Sequence, residues 1–171
     1  MDQGFEAVLF DRDGTLIRDV PYNGDPNRVT IMPGAREILR DLRTHGLRTG
    51  VVSNQSGIGR GLLTEAQVAA VNARVEELLG RFGTWQICPH HPDDGCQCRK
   101  PAPGLVLSAC AALGVRPERT LVVGDIGADV DAAVAAGAVP VLVPTDVTRP
   151  EEVERAPRTA PDLHAVLGMI R

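Results

Sequence analysis

Residues 8–16, VLFDRDGTL, decide the fold of this chain. The apolar run 7–10 reads as a buried strand, and Gly14 and Thr15 break the extended backbone just behind Asp11 and Asp13. Residues i and i+2 of an extended segment lean the same way, so both carboxylates face one small space at the strand tip. Like charges so close repel. They are tolerated when a divalent cation lies between them or when one keeps its proton, and either state is chemically useful. A plain strand-ending turn is the competing reading of DxDG, because Asp and Gly are common turn formers. The segments on either side decide between the two.

Outward from this stretch, strand and helix patterns alternate. Residues 17–32 are rich in Asp, Asn, Pro and Gly without a sustained period, and read as a loop or small flap over the strand tip. Ala35, Ile38, Leu39 and Leu42 fall on one helical face, closed by Gly46. Residues 49–52 make a second strand, followed by Ser53, Asn54 and the glycine-punctuated GIGRG. Thr64 and Gln67 have capping-box spacing ahead of a stripe at Val68, Val71, Val75, Leu78 and Leu79. Residues 85–88 form a short strand and 89–103 an irregular segment. A helix at 104–113 ends at Gly114, and a strand at 120–123 runs into Gly124 and Asp125. A helix at 129–136, a strand at 139–143 and a weak terminal helix at 163–170 complete the pattern, with a Pro-rich, charged stretch before the last.

This alternation predicts an α/β fold, a mainly parallel sheet with helices on both faces, whose ligand sits at the carboxyl ends of the strands. Asp11 and Asp13, Ser53 and Asn54, and Asp125 each follow a predicted strand, so three strand ends bring polar groups to one edge. Together with Lys100 they make a phosphoryl-transfer set. Asp11 would attack phosphorus, and Asp13 would protonate the leaving oxygen and later take a proton from water. A cation held by Asp11 and Asp125, with Lys100, Ser53 and the Asn54 backbone N–H, would meet the charge on the phosphoryl oxygens. Hard oxygen ligands favour Mg²⁺.

The 171 residues suit one domain, 1–171, able to bury a core without disulfides. Aromatics are only 3%, so Ala, Val and Leu must build that core. A net charge of -4 argues against a nucleic-acid partner. Neither a membrane span nor a secretory leader is legible, so the expectation is a cytoplasmic monomer acting on a small molecule.

DRDGT, VSNQSG, RKP and VGDIGAD, in that order, resemble the four motifs of the haloacid dehalogenase (HAD) superfamily. The resemblance implies a Rossmannoid sheet, an Asp11 nucleophile, and Mg²⁺ held by Asp11, the Asp13 main-chain carbonyl and Asp125. Asp129 matches a further acidic position that either ligates the ion or orients its waters. The second acid at +2 resembles the phosphatase and phosphomutase branch. Only about forty residues separate Asp13 from Ser53, which leaves no room for a cap domain.

Cys88, His90, Cys96 and Cys98 offer three thiolates and an imidazole within eleven residues, a set suited to a closed, tetrahedral, structural Zn²⁺ site in a loop at 88–98. His91, beside a proposed ligand, is expected to point elsewhere, and Cys110 to lie in the core. CPHHPDDGCQCRKPAPG and SNQSGIGRG are similar to the family of D-glycero-D-manno-heptose 1,7-bisphosphate phosphatases and histidinol-phosphate phosphatases. That resemblance implies removal of the C7 phosphate of the heptose bisphosphate, with Arg99 binding the distal phosphate; Arg60 is a second candidate. Ile126 stands where heptose members often carry Lys, and the short span between the ligand pairs is closer to the histidinol type. Histidinol phosphate is therefore the alternative substrate. A nucleic-acid 3'-phosphatase and a Zn-stabilised binding protein without catalysis are more remote readings.

Overall fold

The computed structural model describes residues 4–170. Ala7–Phe10 form β1, and all four side chains are fully buried. A strand covered on both faces has no polar side to show, which is why its sequence is an unbroken apolar run. β1 is the centre of a five-stranded sheet of order β3-β2-β1-β4-β5, with β2 at Arg48–Asn54, β3 at Thr84–Cys88, β4 at Thr120–Gly124 and β5 at Val139–Leu142. Every neighbouring pair is parallel, so every connection must cross over and every carboxyl end emerges on one edge.

The crossovers supply α1 (Ala35–Thr44), α2 (Glu65–Leu79), α3 (Gly104–Leu113) and α4 (Gly127–Ala136). After β5 come the short α5 (Pro150–Arg155) and the terminal α6 (Leu163–Ile170). The two faces of β1 sort them. Val8 and Phe10 pack with Ile38, Leu39 and Leu42 of α1, Val71 and Val75 of α2, and Val166 of α6. Ala7 and Leu9 face α3 and α4, where Val106, Ala109, Ala132 and Ala133 keep the layer thin. The result is the expected three-layer α/β arrangement. No helix is long and apolar enough to cross a membrane.

Several details differ from the sequence-based expectation. Ser53 and Asn54 do not follow β2 but end it, because they are in register with Ile87 and Cys88 of β3. α5 lacks any buried residue, so no apolar stripe announces it; Pro150 starts it, and Glu152 accepts from the backbone N–H groups of Arg149 and Gly127 at 2.9 and 3.0 Å. The flap is more ordered than an irregular loop. Ile17 bridges Ile31 in antiparallel fashion, Met32 N–H donates to Leu16 O, and Pro26–Arg28 form one 3-10 turn. Among the described residues no cap domain intervenes between β1 and β2.

Candidate active site

The carboxyl ends of β1, β2 and β4 meet at Lys100. This lysine enters from the loop after β3 and is 3% exposed. Its Nζ donates to Asp11 Oδ1 at 2.9 Å, to Asp129 Oδ1 at 2.5 Å and to the Val52 carbonyl at 2.9 Å. The Asn54 side chain fixes the Lys100 backbone, donating from Nδ2 to its carbonyl and accepting its N–H at Oδ1, both at 3.0 Å. One polar residue at the end of β2 thereby aims a lysine 46 positions away.

Three carboxylates share this single ammonium. Asp11, Asp125 and Asp129 each present an oxygen within 4.8 Å of the others. Burial, with the Asp129 charge added, raises the Asp11 carboxyl to about 6 although Lys100 pulls the other way. Burial and the neighbouring Asp11 and Asp129 push Asp125 up to about 9. Burial also works against the Lys100 charge, but Asp11 and Asp129 outweigh it and hold the ammonium above its ordinary value. An excess of buried negative charge built from hard oxygens is the condition a divalent cation relieves. Asp129 is the most heavily engaged of the three. Its Oδ2 accepts the N–H groups of Asp125 and Ile126 at 3.1 and 3.2 Å, and its Oδ1 is on Lys100.

Asp125 is braced from two directions. Thr15 Oγ1 donates to its Oδ1 at 3.3 Å, and Thr148 Oγ1 donates to its carbonyl at 2.6 Å. Gly14, with φ of +81°, passes so close that an added Cβ would overlap Asp125 Oδ2 and lie 2.9 Å from its Cγ. Gly14→Ala is therefore expected to cost about 1–2 kcal/mol from its left-handed backbone alone, and more from the collision. A lowered thermal midpoint together with lost turnover checks this; a variant as stable and active as the parent would refute it.

Asp13 sits beside this cluster rather than within it. Arg12 Nε and Nη2 fork onto its Oδ1 and Oδ2, each at 3.2 Å, and Gln55 Nε2 donates at 2.8 Å to both Asp13 Oδ2 and Ser53 Oγ. Ser53, 1% exposed, is thus joined to the Asp13 side of the site. An open cleft of about 240 Å³ lies over these groups, lined by Asp13, Asp19, Tyr22, Asn54 and Ser56 among others. Arg60 is exposed, its Nε 3.5 Å from Ser56 Oγ, and Arg99 is half-buried; neither lines the cleft. Arg12, Gln55, Thr15 and Thr148 went unassigned in the sequence. The signal available was the charge of Arg12, set between two acids on a strand tip.

The loop after β3 gathers Cys88, His90, Cys96 and Cys98. His90 Nδ1 lies 3.3 Å from Cys88 Sγ and 3.1 Å from Cys98 Sγ, and Cys88 Sγ is 3.0 Å from Cys98 Sγ and 3.7 Å from Cys96 Sγ. All four donors lie within 4.8 Å of one another and the cysteines are free thiols. The Arg99 backbone N–H leads in drawing the Cys96 thiol down to about 6, whereas burial first, then the neighbouring sulfurs, pushes Cys98 up to about 12. Sulfurs driven apart in this way compete for protons that a soft-ligand cation would replace. His91 faces away, its Nδ1 accepting from Asp93 N–H at 3.1 Å, and Cys110 is buried on α3 beside Thr120. The knuckle is laced to the glycine-rich turn. Gln55 N–H donates to Cys88 O and Gly59 N–H to Pro89 O, both at 2.8 Å, and a Cβ on Gly59 would sit 2.8 Å from that Pro89 oxygen.

A parallel sheet with an acid pair at its central strand tip, a buried lysine and a third acid after β4 defines a class, the HAD-like hydrolases, and the family model described as HAD-hydrolase-like matches residues 97–167. A D-glycero-beta-D-manno-heptose-1,7-bisphosphate 7-phosphatase of Pseudomonas putida is 37% identical over 82% of this chain and 83% of its own length. The Escherichia coli K12 protein of the same name is 35% identical over 91% of this chain and 88% of its own. Among solved structures, D,D-heptose 1,7-bisphosphate phosphatase from B. bronchiseptica, complexed with magnesium and phosphate, superposes with a TM-score of 0.85 at 28% identity, over 96% of this chain and 97% of that one. The chain belongs to the heptose-1,7-bisphosphate 7-phosphatase family of HAD hydrolases.

Proposed function

We propose that this chain, acting as one domain and as a monomer, hydrolyses the C7 phosphate of D-glycero-D-manno-heptose 1,7-bisphosphate through an aspartyl-phosphate on Asp11. The observation that carries the reading is the Asp11 carboxylate at the tip of β1, within hydrogen-bond reach of Lys100 and beside Asp125, with a second acid two residues on. Asp11 is the nucleophile, turning one hard displacement into two easier ones. Asp13 protonates the leaving sugar oxygen and then deprotonates the water that cleaves the acyl phosphate. Lys100, Ser53 and the Asn54 backbone N–H hold the phosphoryl oxygens, and Arg99, with Arg60 as a second candidate, takes the distal phosphate. Asp11, Asp125 and the Asp13 carbonyl would hold Mg²⁺, which when bound would supply charge neutralisation at the transferring group. Asp129, with Oδ2 on two backbone N–H groups and one lone pair of Oδ1 on Lys100, either ligates that ion or orients its waters. Cys88, His90, Cys96 and Cys98 would hold Zn²⁺, which would fix the loop that carries Arg99 and Lys100.

Steady-state phosphate release with Mg²⁺ tests the substrate. The heptose bisphosphate is expected to exceed histidinol phosphate in kcat/KM by at least ~10²-fold, because a guanidinium anchor for a second phosphate rewards only a substrate that has one. The shorter ligand-pair span favours histidinol phosphate as the second reading, and the reverse preference would establish it.

A further inference from the structure

We infer that Arg12 and Asn72 are positioning residues for Asp13, and that they select which of its oxygens exchanges the proton. The inference rests on the assignment of Asp13 as proton donor made above and adds to it the groups through which that donor is aimed.

Arg12 is 2% exposed although it lies in the turn between two acids. A guanidinium is buried at a cost unless its donors are matched, and here three are. Two form the fork on Asp13, and Nη1 donates to Asn72 Oδ1 at 2.8 Å. Asn72 comes from the middle of α2, next to the apolar stripe of Val68, Val71, Val75 and Leu79. It reaches the strand tip from 60 residues away and tethers the far end of the guanidinium. That tether fixes the plane of a fork otherwise made between adjacent residues.

The hydrogen bonds on Asp13 are unequal. Among the described residues Oδ2 accepts two, from Arg12 Nη2 and Gln55 Nε2, whereas Oδ1 accepts one, from Arg12 Nε. Each carboxylate oxygen has two lone-pair sites, so the open one is on Oδ1. The proton travels there. As the Asp11 carboxylate bonds to phosphorus and the bond from phosphorus to the sugar oxygen breaks, Asp13 Oδ1–H gives its proton to that oxygen. In the second half a water oxygen attacks phosphorus, the acyl phosphate bond breaks to restore Asp11, and the water's proton passes to Oδ1.

A mispointed acid harms only those substrates whose leaving group needs a proton. The test follows the first half-reaction in single turnover, enzyme in excess with Mg²⁺, for the heptose bisphosphate and for p-nitrophenyl phosphate, whose phenolate leaves unaided. Asn72→Leu and Arg12→Lys are each expected to slow sugar release at least ~10-fold, out of the ~10²–10⁴ a positioned acid supplies, and nitrophenolate release less than ~3-fold. Asn72 lies on a half-buried helix face, and thermal midpoints confirm folding of both variants. Losses equal within ~3-fold on the two substrates, or no loss on either, overturn the inference and leave Arg12 a structural ion pair. Asp13→Asn is the control for the parent reading. If it lacks the same leaving-group signature, Asp13 is not the acid, a failure distinct from that of its positioning.

Discussion

Replacing Asp11 by Asn is expected to lower kcat by at least ~10³-fold, a barrier increase of about 4 kcal/mol, while the thermal midpoint holds or rises. The amide keeps the volume and an oxygen for Lys100 but cannot form the acyl phosphate. Stability does not suffer, because the change removes one of three carboxylates crowded within 4.8 Å, and Lys100 keeps Asp129 and the Val52 carbonyl. The assay is run over a range of Mg²⁺ concentrations. A lost ion ligand is rescued by excess ion, whereas a lost nucleophile is not. Turnover restored to the parent level at high Mg²⁺ would make Asp11 a ligand only and remove the covalent route.

Cys98→Ser is expected to abolish zinc binding by the Cys88, His90, Cys96 and Cys98 knuckle proposed above. The Cys98 sulfur lies 3.0 Å from Cys88 Sγ and 3.1 Å from His90 Nδ1, in the middle of the donor set. A serine hydroxyl is a poor ligand for Zn²⁺ at neutral pH, and structural zinc sites carry folding free energy outright. A loss of about 3 kcal/mol would lower the thermal midpoint by ~6–12 °C in a chain of this size. Metal analysis should then fall from about one Zn²⁺ per chain toward none, with protease cleavage appearing near Gly95. Unchanged zinc content would show that the four residues do not hold the ion.

The parts of the chain visible in sequence were those governed by local patterns. β1 is legible because a strand buried on both faces must be apolar throughout, and α3 because Gly114 takes the left-handed conformation that ends it. The Cys/His knuckle is legible because its ligands are close in sequence. What could not be read depends on partners far along the chain. Arg12 acquires its role from Asn72 and Gln55, and the Asn54 side chain from the Lys100 peptide, and none of these pairings leaves a periodic trace. Ser53 and Asn54 look like loop residues in isolation and become strand only because β3 lies alongside. α5 is held by Glu152 on two backbone N–H groups, a tertiary cap with no hydrophobic signature.

The two backbone hydrogen bonds that lace the glycine-rich turn to the knuckle bear on how the catalyst works in time. A turn and a loop tied at two points shift as one body, so a displacement of the glycine-rich turn is expected to carry the loop that leads to Arg99 and Lys100 with it. Divergence toward a new phosphosugar can proceed by exchanging a few side chains on that turn and loop, with the acidic centre beneath left untouched.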